Sequence, residues 1–368
     1  MLELPKTLQK LNFPHFKNTL YSAGHPRYTS NFSRDSLIAG LLFEDPDFLQ
    51  NQLQFCASQQ GQKSDPYTGE EYGKIHHEIP EIAIRGYTTR YAACDTTALF
   101  VLGHQKYIQL TGDKSLFEAQ KGNILAAQMY IQNHIKDGYF IESPSFSGSQ
   151  KFALKVTYWK DSDLVDRPNN EPVYPICYTL IQAQNLAAIK FLAKEFQNPH
   201  LVQTADRMLK VLQEDLFDPD IKDFCIAKDE MGLIFSKSSD SLHILYYLEK
   251  GDLKKEHISG ILEAAKELQT KVGYRTMIET EKTVEEYHSK TVWPFEQAII
   301  HAGGLKFDLP EITQTAILCY HELEEDDSEL FIIHQNGHFT KGGNPFQLWT
   351  VAAKVYFQKF LNSVRANS

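Results

Sequence analysis

Several things are scarce in this sequence, and each scarcity excludes something. Its five cysteines, Cys56, Cys94, Cys177, Cys225 and Cys319, are odd in number, far apart, and never form a Cys-x-x-Cys pair. That argues against a disulfide framework or a cysteine zinc site, and a cytoplasmic location is expected. No apolar run approaches the length needed to span a bilayer. The opening M-L-E-L-P-K-T-L-Q-K lacks the apolar core of a secretory signal. Basic residues are outnumbered, 37 Lys and Arg against 47 Asp and Glu, and form no stripe. With a net charge of −10, nucleic acid and anionic membranes are poor partners. Neither a G-x-G-x-x-G turn after a strand nor a P-loop is present, so no cofactor is expected. No His-x-x-x-His stands on a predicted helix, so no metal is expected either; His76-His77-Glu78 are adjacent on a loop and rarely converge on one ion.

What is present builds a core. Hydrophobic residues make up 42% and charged residues 23%, which suits a packed globular chain. No stretch reads as a linker, so residues 1–368 are taken as one catalytic domain. Six times a long loop leads into a helix that is apolar on nearly all sides, beginning near Asp35, Asp95, Pro175, Asp240, Trp293 and Pro345. The periodicity predicts these inner helices over 35–43, 96–110, 176–196, 241–248, 293–302 and 346–361. Amphipathic partners follow five of them across short turns, over 47–58, 116–135, 201–212, 258–268 and 312–323, with Gly303-Gly304 read as one such turn. A weak helix over 2–11 supplies the sixth partner. The expectation is all-α: an (α/α)6 toroid of six hairpins. Its long connections all fall on one face, before the inner helices, among them 217–239, read as irregular or short strands, and the loops 272–291 and 324–344; loops of that length are usually functional.

The most unusual of those loops is 156–167, V-T-Y-W-K-D-S-D-L-V-D-R, closed by Pro168-Asn169-Asn170. It sets Asp161, Asp163 and Asp166 beside Tyr158 and Trp159, so a carboxylic acid lies next to rings able to stack on a sugar. Asp161 is the expected catalytic carboxyl group. Other polar residues stand at the same place in the other loops, among them Arg34-Asp35, His76-His77-Glu78, Asp95 and Ser239-Asp240. Capping is an equal reading for Asp95, Ser239 and Asp240, and an internal ion pair an equal reading for Arg34-Asp35.

In order along the chain, F-S-R-D-S-L-I, G-K-I-H-H-E, D-T-T-A-L-F, W-K-D-S, Y-H-S-K-T-V-W-P, E-L-F and Q-L-W-T-V-A-A resemble the glycogen-debranching, amylo-α-1,6-glucosidase-like group of (α/α)6-barrel glycoside hydrolases. The resemblance covers nearly the whole chain. It implies an inverting hydrolase of an α-glucosidic bond, with Asp161 as general acid and Glu329 as general base. It further implies that Arg34, Asp35, Glu78, Asp95, Trp159, Asp163, His288, Trp293 and Gln347 contact the sugar. Debranching enzymes usually carry domains before the barrel; Arg34 stands too near the start for one, which favours a short oligosaccharide or small glycoside over glycogen. The run Glu324-Glu325-Asp326-Asp327 supplies rivals to Glu329.

Two other readings compete. A sugar epimerase or isomerase would use His as acid and base, and His76, His77, His243, His288 and His301 are available. A non-catalytic carbohydrate-binding protein on a degenerate barrel would bind without turnover. Carbohydrate is the expected ligand in every case; oligomeric state is left open.

Overall fold

The computed structural model describes residues 6–13, 19–161, 167–278, 286–324 and 327–367. Its helices are α1 (Ser33–Phe43), α2 (Pro46–Ser58), α3 (Thr96–Thr111), α4 (Ser115–Ala119), α5 (Lys121–Asn133) and α6 (Thr179–Glu195). The second half holds α7 (Pro199–Glu214), α8 (Asp240–Tyr247), α9 (Lys255–Leu268), α10 (Pro294–Lys306), α11 (Pro310–Ala316) and α12 (Leu348–Asn367). Helices α1, α3, α6, α8, α10 and α12 each pack on the next, and α12 returns to α1. That closed ring of inner helices, with α2, α5, α7, α9 and α11 outside, is an (α/α)6 toroid.

Burial separates the two layers. Every residue of α1 is buried, including Ser33, Arg34, Asp35 and Ser36, because an inner helix has neighbours on all sides. Outer α7 buries only Leu201, Thr204, Ala205, Met208, Val211 and Leu212, one stripe at helical spacing. Each large apolar side chain in such a stripe contributes about 1.5–3 kcal/mol. Asn198 caps α7 by accepting from the His200 and Leu201 amides, with Pro199 in the first turn.

The two ends of the ring differ. At the helix C-termini, lysines take the carbonyls left without an intrahelical partner: Lys306 donates to Tyr246 and Leu248, and Lys359 to Phe43. At the N-termini the loops are laced by short antiparallel ladders. Asn31–Phe32 pairs with Glu78–Ile79, Cys177–Tyr178 with Ala227–Asp229, and Gly24–His25 with Phe346–Gln347. Thr291–Val292, Leu330–Ile333 and Phe339–Gly342 form a three-stranded sheet.

Five details differ from the periodicity. The 116–135 helix is two, α4 and α5, separated at Gln120. The 176–196 helix starts at Thr179, because Cys177 and Tyr178 are committed to a ladder. The 312–323 helix ends at Ala316 and continues as a 3-10 turn, Ile317–Glu322. The partner expected over 2–11 is a 3-10 helix, Lys6–Leu11, which does pack on α12. Within 324–344, read as loop, Leu330–Ile333 and Phe339–Gly342 form a hairpin.

The largest correction concerns Gly303 and Gly304, which do not end a helix but lie inside α10. A Cβ on Gly303 would sit 2.8 Å from both the Leu245 Cβ and the Tyr246 amide, and one on Gly304 would sit 3.0 Å from Ile312 and Thr313. The pair lets α10 approach α8 on one side and α11 on the other. Gly303→Ala is therefore expected to destabilise the protein, by about 1–3 kcal/mol of overpacking. Gly122→Ala, in α5 with nothing within 4 Å of its Cβ position, should gain up to about 1 kcal/mol of helix propensity. Urea denaturation of the two variants checks the opposite signs.

Candidate active site

The site starts from Lys160, a lysine that reaches no water. Its ammonium donates to Ser239 Oγ (3.0 Å) and Asp240 Oδ1 (2.7 Å) and lies 3.7 Å from Glu296 Oε1. Tyr158 donates to Asp240 Oδ2 at 3.2 Å, and Ser239 to Glu296 Oε1 at 2.5 Å. Residues 158 and 160 thus fasten the loop to α8 and α10, while Trp159 and Asp161 line a cavity. Neither Asp240 nor Ser239 caps α8 through its side chain; both hold the lysine.

A second cation ties the loop from the other side. Arg34, at the start of α1, is 3% exposed. Its Nε donates to Asp95 Oδ2 at 2.5 Å and its Nη2 to the Thr157 carbonyl at 2.8 Å. Its Nη1 stands 4.0 Å from Asp161 Oδ2. The ion pair of Arg34 is therefore with Asp95, not with its neighbour Asp35, and Asp95 does not cap α3.

The cavity, about 100 Å³, opens among the N-termini of α1, α10 and α12. All three tryptophans of the chain, Trp159, Trp293 and Trp349, line it. Trp159 meets Trp293 edge-on at 5.7 Å, and Trp293 meets Trp349 edge-on at 5.6 Å. The buried indole N–H groups of Trp159 and Trp349 have no partner among the described residues. Larger depressions of about 880 and 520 Å³ exist elsewhere, but the aromatic wall and the convergent carboxylates are here.

Three carboxyl groups face this space: Asp35, Asp161 and Glu329. Glu329 precedes the strand Leu330–Ile333 and is buried. Its Oε1 accepts from the Tyr287 hydroxyl and its Oε2 from the Asn344 amide, each at 2.7 Å. Burial pushes its pKa up, and these two donors and the charge of Arg27 pull it down, leaving it above the ordinary glutamate value. Asp35 is 5% exposed. Desolvation drives its pKa well up against the pull of Arg34, and the charges of Glu329 and Asp161 add to the rise. The side-chain amide of Gln347 donates to it at 3.4 Å. Asp161 is the open member of the three, with its side chain 34% exposed.

Two histidines share the wall and are neutral. Burial brings His288 down to about 3, helped by Lys160 and Arg34. Burial and Arg34 hold His77 well below the usual imidazole value. His288 stacks on Trp293 at 5.2 Å.

Of the residues singled out in the sequence, Arg34, Asp35, Trp159, Asp161, His288, Trp293, Glu329 and Gln347 come together. Glu78 does not line the cavity; its carboxylate accepts from Thr89 Oγ1 at 2.6 Å. Asp95 stands behind Arg34. Asp163 lies outside the described residues. Among the rivals of Glu329, Glu324 is exposed and Asp327 lies 3.5 Å from Lys354, while Glu325 and Asp326 lie outside the described residues. Tyr28, His77, Tyr287 and Trp349 also line the cavity. The last three stand in motifs already noted, H-H-E, Y-H-S-K and Q-L-W-T; Tyr28, in an irregular loop, carried no signal.

No protein-family model matches the chain, and no curated protein matches it by sequence. Solved structures do match in fold. A GH63 mannosylglycerate hydrolase from Thermus thermophilus, in complex with glucose, is similar at a TM-score of 0.69 and 12% identity, over 95% of this chain and 98% of that one. A cellobiose 2-epimerase from Bacillus thermoamylovorans is similar at 0.63 and 10%, over 96% and 95%. An uncharacterized conserved protein from Thermus thermophilus is similar at 0.67 and 12%, over 95% and 97%. At such identities these likenesses establish the fold.

Lys160→Met would leave Asp240 and Glu296 buried without their cation. A loss of about 3–5 kcal/mol of stability is expected in urea denaturation, the cost of breaking a buried charge pair from one side. Asp35 gives a pH-dependent test. Because its pKa is raised in the folded state, its contribution to stability is full below the ordinary aspartate value of 3.8 and is lost as pH rises through the folded value. Asp35→Asn should therefore be more stable than the natural protein at pH 7, with the gain shrinking toward pH 4, as thermal unfolding across that range would read.

Proposed function

We propose that this protein is an inverting glycoside hydrolase. It acts on an α-glucosidic bond of a short oligosaccharide or small glycoside, in the manner of an amylo-1,6-glucosidase. The observation that carries the reading is that Asp161 and Glu329, in unlike environments, face one small cavity walled by three tryptophans. Such a wall stacks on the apolar faces of a sugar ring. The small volume favours one glycosyl unit over a polymer groove. Among proteins of similar fold, one is named for the hydrolysis of mannosylglycerate and was captured with glucose, which agrees with a small glycoside.

In this reading Asp161, at the open side, gives its proton to the glycosidic oxygen as the bond to the anomeric carbon breaks. Glu329 takes a proton from a water whose oxygen bonds that carbon from the opposite face. The turnover leaves Asp161 ionised and Glu329 protonated, and solvent resets both. The Arg34 guanidinium, bonded to Asp95 and the Thr157 carbonyl, stands 4.0 Å from Asp161 Oδ2. Donors on both oxygens favour Glu329 as the carboxylate a base must be.

A second reading, sugar epimerisation, draws on His77 and His288 in the wall and on the epimerase of similar fold. A histidine acid or base works best near neutral pH, and burial takes His288 to about 3, so hydrolysis is preferred. Asp161→Asn and Glu329→Gln should each lower kcat by about 10²–10⁴-fold against a panel of α- and β-linked oligosaccharides and small glycosides, with circular dichroism unchanged. Binding by calorimetry without release from any sugar would turn the assignment to a binding protein.

A further inference from the structure

Tyr287 stands on the turn that leads into the strand Thr291–Val292, whose partner strand begins one residue after Glu329. The Thr291 hydroxyl donates to the Tyr287 carbonyl at 2.7 Å, and the Ile333 amide to the Lys290 carbonyl at 2.7 Å, so turn and strand are tied together. The Tyr287 ring is wedged edge-on against His288 and Trp293, both at 5.0 Å. That leaves its hydroxyl little freedom. Its proton goes to Glu329 Oε1 at 2.7 Å, and the Tyr28 hydroxyl lies 3.2 Å behind it. The other carboxylate oxygen is held by the Asn344 amide, and a Cβ on Gly343 would collide with it. Glu329 is gripped from two elements, and only one of the two grips is a side chain.

We propose that Tyr287, backed by Tyr28, is a positioning residue for Glu329: the hydroxyl fixes the rotation of the carboxylate and holds it in its charged form. The role as base rests on the hydrolase reading; the grip itself does not. Burial and the Glu329 charge push the Tyr287 pKa far up, so this hydroxyl stays protonated and can only donate to the carboxylate. The charged and titratable groups facing Glu329 are Arg27 and Tyr28 from the first loop, Asp35 from α1, Asp161 from the catalytic loop, and Tyr287. His77 and His288 are neutral. Of these groups, Tyr287 is the one that touches the carboxylate.

Removing a donor that favours the charged form raises the pKa of the acceptor. In Tyr287→Phe, Glu329 should therefore titrate higher by about one pH unit, the scale of one charge-assisted hydrogen bond. The direct readout is ¹³C NMR titration of the carboxyl-labelled protein, with Glu329→Gln assigning the resonance, and it needs no substrate. The acidic limb of kcat/KM should move up with it, and kcat should fall more than KM changes. Tyr28→Phe should move the same resonance in the same direction by less. An unmoved Glu329 titration in folded Tyr287→Phe would overturn the proposal and leave the hydrolase reading intact. A moved titration in a protein that hydrolyses nothing would leave the grip standing and remove the hydrolase reading.

Discussion

The ring depends on where it can put a buried positive charge. Asp240 and Glu296, on the neighbouring inner helices α8 and α10, are essentially without exposure. An unpaired carboxylate there would cost several kcal/mol. Lys160 meets both. It arrives from the loop rather than from a helix, and its sequence neighbours on either side line the cavity. The contact that gives both carboxylates of the inner wall a cation is thus also the contact that places Trp159 and Asp161. Arg34 repeats the arrangement from α1, between Asp95 and the Thr157 carbonyl. Two buried cations thus tie this loop to the inner helices on either side of Trp159 and Asp161.

The ring also has a polarity. Lysines close the C-termini of α8 and α1, and the N-termini are left to the loops. Partial positive charge from three helix ends, α1, α10 and α12, falls on the side where Asp35, Asp161 and Glu329 gather. Three carboxyl groups so close cannot all carry charge cheaply. The protein separates them by environment. Asp35 is buried toward its neutral form, Glu329 is gripped by donors, and Asp161 is open to water. A division of this kind is what acid and base chemistry in one pocket requires.

Much of this was legible in the sequence because the toroid repeats a coarse pattern. An inner helix surrounded by protein is apolar on every side, and an outer one is not; that contrast locates the helices even without a repeated motif. The W-K-D-S loop was legible because its composition fits neither helix nor strand. What could not be read was set by contacts far apart in sequence. Gly303 and Gly304 look like a helix stop, but they serve the approach of α8 and α11. Asp95 and Asp240 look like caps, but each answers a buried cation 61 or 80 residues away. Tyr28 lies in an irregular loop whose path is decided by its ladder with Phe346–Gln347 at the other end of the chain. Leu330–Ile333, within the 324–344 segment read as loop, becomes a strand because Thr291–Val292 offers an edge.

In the proposed hydrolysis, Asp161 and Glu329 act from opposite sides of one glycosyl unit. The anomeric configuration of the first sugar released tests it most directly, followed by ¹H NMR before mutarotation. Inversion would release the β-anomer from an α-linked substrate, and no release is expected from Asp161→Asn. Release of the α-anomer would contradict inversion and put a nucleophile in the place of the attacking water, and conversion of a free sugar into its epimer without hydrolysis would move the chemistry to the histidines.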